Sequence, residues 1–364
     1  MSGYFFFFVL VMSLLWPGLT MADAIPRRGL FVTLLQDPPV LASRQGIADL
    51  VDYAKKVHVR TLFVQVYRAD QAWFPSRVGD QEPYNAALKA VGEDPFALLI
   101  KRAHEQSIEV HAWVNLLSLS KNVEAPLLIK YGPSILTRNI QKKRSLADYR
   151  IDDQYFLEPG DLRVRAELLN MVGELLRAYP ALDGIQFDYI RYPDKDPHYG
   201  YTKMNVERFK AATGQSEVLD SSKVWKDWKR GQVTALLERL VKRVRLLRPK
   251  IKVSTTGCSP YVRALEEAFQ DWPSWVNSGL VDFVTVMTYP PDVSELGKFI
   301  ADAQVRVSDP GKLNIAVGAY QQANSPQGFY QQLQLCEKES QGACVIFHYG
   351  SLLGSPAFKD ILSK

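Results

Sequence analysis

The chain has 364 residues, 47% hydrophobic and 23% charged, which gives it the material for an ordinary packed core and excludes wholesale disorder. That length suits one barrel of roughly 250 residues with insertions better than two large domains. A formal net charge of +5, with no basic run interleaved with aromatics, gives no nucleic-acid pattern; it suits an anionic polysaccharide, but many soluble proteins share it.

From Tyr4 to Trp16 the sequence is almost unbroken Phe, Val, Leu and Met, broken by Pro17-Gly18 and followed by Ala22-Asp23-Ala24. This is the order of a cleaved secretory leader over residues 1–24, short for a bilayer span, although no Lys or Arg precedes the apolar run. No Cys follows the run, so no lipid attachment is expected. The expectation is a periplasmic or secreted protein, with residues 25–364 as a single domain and no stable membrane span after cleavage. A retained anchor is the alternative.

Beyond the leader one pattern repeats: a short β-branched or apolar run, then a helix-like stretch. The expected strands are Gly29–Leu35, Thr61–Tyr67, Glu109–Asn115, Gly184–Tyr189, Lys252–Thr256, Phe283–Thr288, Asn314–Ala319 and Ala343–Tyr349. Eight strands alternating with helices predict an α/β fold, a (β/α)8 or TIM barrel. Asp94-Pro95 starts a helix over Phe96–Gln106, and Ser325-Pro326 starts one over Gln327–Glu339. Leu236, Leu240, Val244 and Leu247 form a core stripe on the long helical segment Trp225–Leu247. Two connections, Leu116–Leu162 and Arg191–Lys223, are long; both follow strands, so both belong on the C-terminal face, where barrels shape substrate clefts.

Alternation along each strand sorts its side chains. In the fourth, Gln186 and Asp188 share one face, while Ile185, Phe187 and Tyr189 share the other, which should meet the helices. Gln186 and Asp188 are therefore expected at the barrel mouth, with Arg191 just beyond. A carboxylate among buried side chains needs partners or a function. The second strand offers Gln65 and Tyr67, followed by Arg68 and Asp70. The third offers His111, Trp113 and Asn115; the sixth, Met287 and Tyr289; the eighth, Phe347 and Tyr349. Aromatics, amides and a carboxylate suit sugar faces, hydroxyls and proton transfer. The blander alternatives are that Trp113 and Tyr289 only fill the core, that His111 is a bonded core histidine, and that Asp188 is held by Arg191 or Arg68 as a structural ion pair. Asp70 divides evenly between catalysis and structure.

No glycine-rich phosphate loop, Gly-x-Ser-x-Gly elbow or Cys-x-x-Cys is present, and the five histidines lack metal spacing, so neither cofactor nor metal is expected. Cys336 and Cys344 form either a disulfide or two buried thiols, and Cys258 is left to pack as a small apolar residue.

Six segments occur in a telling order: Arg28–Thr33, Phe63–Tyr67, Asp94-Pro95-Phe96 through His111–Asn115, Leu157–Gly160, Asp183–Asp188 and Gln270–Trp275. In this series the chain resembles the bacterial family-10-like glycosyl hydrolases, closely over residues 27–293. The resemblance implies a TIM barrel and an exported enzyme acting on a cell-envelope polysaccharide, such as peptidoglycan glycan strands or an amino-sugar exopolysaccharide. It places Asp188 on the family's strand-four acid, Asp70 on its strand-two acid and Asn115 on its strand-three Asn. The family often has His-Phe-Asp-Asp-Tyr where this chain has Gln186–Ile190, so the second acid is replaced by Tyr189. A weaker likeness to family-18 chitinases matches Asp183 and Asp188, with Ile190 at the acid catalyst's position. The expected catalytic residues are thus Asp188, as general acid or base, and Asp70 as its leading partner. The expected substrate contacts are Tyr67, Arg68, Trp113, Asn115, Gln186, Arg191, Tyr289 and Tyr349. A barrel that only binds glycan, or scaffolds an envelope complex, is the competing reading.

Overall fold

The computed structural model describes residues 27–139, 145–151, 153–194 and 196–363; the expected leader lies outside them. Eight strands form the barrel: β1 Arg28–Val32, β2 Val59–Arg68, β3 Glu109–Asn115, β4 Gly184–Asp188, β5 Lys252–Cys258, β6 Phe283–Thr288, β7 Leu313–Gly318 and β8 Cys344–Phe347. Each pairs in parallel with the next, and β1 pairs with β8, so the sheet closes with no free edge. Closure satisfies every strand's backbone and fixes all eight C-terminal ends on one face.

The principal helices are α1 Arg44–Lys56, α2 Pro95–His104, α3 Leu162–Ala178, α4 Lys223–Leu247, α5 Trp272–Asn277, α6 Val293–Gln304, α7 Pro326–Glu339 and α8 Pro356–Leu362. Their starts are written locally. Asp94, Asp161 and Ser325 accept hydrogen bonds from backbone amides in the first turns of α2, α3 and α7, and Pro95 and Pro326 stand where no amide partner is needed. In α4 the stripe Leu236, Leu240 and Val244 is fully buried. Among the described residues, no helix is long and apolar enough to cross a membrane.

The core has two layers. Outward residues of the strands, such as Ile185, Phe187, Val253 and Val284, pack with the helices. Inward residues form a smaller aromatic cluster of Phe31, Phe63, Trp113, Ala316 and Val345, with Phe283, Tyr289 and Phe347 against it. Cys336 of α7 is disulfide-bonded to Cys344 of β8, and Cys258 is a buried free thiol.

Both long connections carry structure of their own. The first holds a two-stranded antiparallel sheet, Ser118–Ser120 with Tyr155–Phe156, and a short helix at Pro126–Tyr131 between them. The second holds a helix at Lys203–Thr213, whose Phe209 packs with Tyr201 and Trp225 in a separate small core.

Candidate functional site

The C-terminal mouth of the barrel opens into a cavity of about 450 Å³. Each strand end contributes what alternation allows: Phe31 and Thr33 from the end of β1, Gln65 and Arg68 from β2, Trp113 and Asn115 from β3, and Asp188 from β4. Tyr189, Arg191 and Asp194 follow β4 into the same wall, Thr256 and Arg263 come from β5 and the helix beyond it, and Met287, Tyr289, Phe347 and His348 close the far side.

Asp188 lines this cavity and is only 3% exposed. Its Oδ2 accepts from Trp113 Nε1 at 3.0 Å, while Oδ1 accepts from the Tyr189 amide at 2.7 Å, Thr256 Oγ1 at 2.5 Å and Arg191 Nη1 at 3.3 Å. The carboxylate is thereby fixed in one orientation, with its lone pairs crowded on the Oδ1 side and less occupied on Oδ2. Tyr189 has a left-handed backbone (φ 51°), uncommon for a non-glycine residue. That turn aims its amide back at Asp188, and the Arg191 guanidinium lies 4.2 Å from the Tyr189 ring centroid.

Around the acid stand groups suited to a polar ligand with flat apolar faces. The rings of Tyr289 and Phe347 lie 5.1 Å apart, and Trp113 and Phe347 6.2 Å apart. The Tyr289 hydroxyl and Asn115 Oδ1 are buried with no hydrogen-bond partner among the described residues, so a donor and an acceptor are available. Burial first, then the neighbouring Asp188 charge, holds the Tyr289 hydroxyl well above its ordinary pKa, so it remains a donor. Burial pushes the His348 imidazole down and favours its neutral form.

Of the expected site residues, Asp188, Arg68, Trp113, Asn115, Arg191 and Tyr289 come together in the cavity. Four others do not. Gln186 faces inward as alternation requires but lies two residues deeper, about 6.6 Å along the strand; it is fully buried in the barrel interior and does not line the cavity. Tyr67 is turned by an irregularity in the β2–β3 register between Gln65 and Tyr67 that pairs it with the outward residue Val114. Its ring packs near Phe74 and its hydroxyl donates to Asp70 at 2.5 Å. Asp70, also left-handed (φ 60°), takes that hydroxyl on Oδ1 and the Leu127 amide on Oδ2 at 2.7 Å, tying β2 to the short helix Pro126–Tyr131. Burial raises its carboxyl to about 7, against the lowering effect of those two bonds. Tyr349 begins a short helix after β8 and packs on Tyr53 of α1 with centroids 5.4 Å apart; His348 takes the place expected for it.

Three further acids in the segments that carry the family resemblance also lie away from the mouth. Asp183 precedes β4 and accepts from the Val110 amide and His104 at the other end of the barrel. Glu158 is fully buried beneath the insertions, held by Tyr192, Thr137 and the Gly160 amide. Asp271 accepts from Tyr261 and does not line the cavity. Residues that strand alternation did not find include Asp194, Thr256, Arg263 and His348, and Tyr189, expected on the face that meets the helices, lines the cavity instead because the strand has ended and the chain turns left-handed there. Thr256 is the inward neighbour of Asp188 on β5, a signal available from strand register. Asp194 and Arg263 lie beyond strand ends, where no periodicity points.

A family model described as "Glycosyl hydrolase-like 10" matches residues 27–327. The chain is 22% identical over 311 residues to a protein named "Glycosyl hydrolase DigH" of Escherichia coli K12, covering 76% of this chain and 68% of that one. It is 22% identical over 273 residues to "Glycosyl hydrolase YngK" of Bacillus subtilis, covering 69% of this chain and half of that relative's length. Among solved structures it superposes on an alpha-L-fucosidase isoenzyme 2 from Paenibacillus thiaminolyticus with a TM-score of 0.63, at 14% identity, over 93% of this chain and 48% of that one. The last likeness bears on the fold alone.

Proposed function

The chain belongs to the glycosyl hydrolase-like 10 family, and on that footing we propose that it is an exported glycoside hydrolase acting on a cell-envelope polysaccharide built on N-acetylhexosamine. The observation that carries this reading is the carboxylate of Asp188, held by four donors in an aromatic-lined cavity at the C-terminal mouth. Export is supported by the leader-like residues 1–24 and by the Cys336–Cys344 bond, which belongs to an oxidising compartment.

Glycoside hydrolysis ordinarily uses two carboxyl groups, or one together with an N-acetyl group of the substrate acting as nucleophile. Asp188 and Asp194 are the carboxylates lining the cavity among the described residues. Asp194 is 3.2 Å from Arg263 Nη2. In the proposed arrangement Asp188 accepts the acetamido N–H through the less occupied Oδ2, and the Tyr289 hydroxyl donates to the acetamido carbonyl. The acetamido oxygen bonds to the anomeric carbon as the glycosidic C–O bond breaks, the departing oxygen takes its proton from a water beside the Asp194 carboxylate, and a second water then opens the cyclic intermediate and restores the acetamide, while Trp113, Tyr289 and Phe347 stack on the sugar. This assigns no reacting role to Asp70.

The test is turnover of purified peptidoglycan glycan strands and of poly-N-acetylglucosamine by the wild type, Asp188→Asn and Asp194→Asn. Loss of reducing-end release in the first variant supports the assignment, and equal rates in both Asp188 forms sink it. A second reading, a barrel that binds glycan without cleaving it, is favoured by one observation: both lining carboxylates are tied to arginines. Tight binding with no new reducing ends after long incubation would decide for it.

A further inference from the structure

The charges in the cavity wall do not balance. Among the described residues it contains three arginines, Arg68, Arg191 and Arg263, and two carboxylates. Arg191 is paired with Asp188 and Arg263 with Asp194. Among the described residues Arg68 has no carboxylate partner, and its one hydrogen bond there goes from Nη2 to Ser120 Oγ at 3.2 Å. It is half-buried, and burial pulls its guanidinium below the ordinary value, so the cation is already partly stripped of water. The Nε atoms of Arg191 and Arg263 are buried with no hydrogen-bond partner among the described residues. A partly desolvated, unpaired cation facing a cavity is poorly satisfied until an anion enters. A single surplus charge on a planar fork matches a monoanionic, planar group, which is what a carboxylate offers.

We propose that Arg68 is a specificity residue that binds a carboxylate carried by the sugar unit in this cavity, so that the protein selects acid-bearing glycans over neutral ones. This deepens the carbohydrate reading above and rests on it. The carboxylate has two chemical sources in glycans, a uronic acid ring or an acid-bearing ether on an amino sugar, and the guanidinium fork serves either.

Titration calorimetry at low salt separates the cases with three probes: N-acetylchitohexaose, a hyaluronan hexasaccharide and an N-acetylmuramic-acid-containing oligosaccharide of similar length. The wild type is expected to bind at least one acidic probe about 10- to 100-fold more tightly than the neutral one, the range for a charge-assisted bond. That preference should weaken as salt rises, and whichever acidic probe leads identifies the source. Arg68→Gln should lower affinity for the leading acidic probe about 10- to 100-fold more than it lowers affinity for the neutral one, so that the ratio between the two collapses towards one. Arg68→Lys should keep part of it, because charge remains without the fork, and guards against a folding defect in the first variant. Equal affinity of the wild type for neutral and acidic probes overturns this proposal alone, as does full preference in a folded Arg68→Gln. Failure of every oligosaccharide to bind overturns the carbohydrate reading and this proposal with it.

Discussion

Replacing Asp188 by Asn tests the geometry of the site without reference to catalysis. The carboxylate accepts three donors on Oδ1 and one on Oδ2. An amide keeps only one acceptor atom. Its oxygen would face the three donors, leaving its NH2 against the Trp113 indole N–H, one donor against another in a site 3% exposed. Loss of that bond and of one buried partner costs about 1–3 kcal/mol. Arg191, 6% exposed, would also lose its counter-charge. Breaking a buried pair from one side costs about 3–5 kcal/mol in other proteins; a retained amide oxygen softens this, so a total loss of about 2–4 kcal/mol is expected. Urea unfolding followed by tryptophan fluorescence measures it directly. In the double variant Asp188→Asn/Arg191→Gln the loss should fall short of the sum of the singles by at least about 1 kcal/mol, the signature of a direct pair. A single-variant change below about 0.5 kcal/mol, or strict additivity, would refute the four-donor account of Asp188.

Further outcomes are expected. Asp70 has a folded pKa raised to about 7 by burial, above its unfolded value of about 3.9. The folded state therefore holds a proton that the unfolded state releases, and stability falls as pH rises from about 4 to about 7; urea midpoints of the wild type should drop across that window and those of Asp70→Asn should drop less. Removing the disulfide with Cys336→Ser should cost about 2–3 kcal/mol for a closed loop of this size, read as a lower thermal midpoint in non-reducing buffer and no difference from wild type under reductant. Gly184→Ala should cost more than about 2 kcal/mol, since the new methyl would overlap the ring of His111, itself 1% exposed inside the barrel; an unchanged urea midpoint would contradict the packing described for that layer.

The eight-stranded barrel was legible because each strand repeats one simple signal, and alternation then placed Asp188, Trp113, Asn115 and Tyr289 correctly at the mouth. What alternation cannot register is depth and interruption. Gln186 and Asp188 share a face, yet one lies in the packed interior and the other at the opening. One irregular step in the β2–β3 ladder turned Tyr67 to the helices, and Asp70 followed it into a structural bond. Tyr349 was lost for a related reason: β8 ends at Phe347, and the chain has entered a helix by the time it reaches the tyrosine. Whether Cys336 and Cys344 were joined depended on α7 and β8 lying side by side, a tertiary fact that spacing leaves open.

The small core of Tyr201, Phe209 and Trp225 forms a hydrophobic cluster separate from the main core, joining the second long connection to α4. Distant clusters that share few partners respond to substitution almost independently. A substitution in that cluster should therefore lower stability locally while the strand that presents Asp188, held by barrel closure, keeps its place.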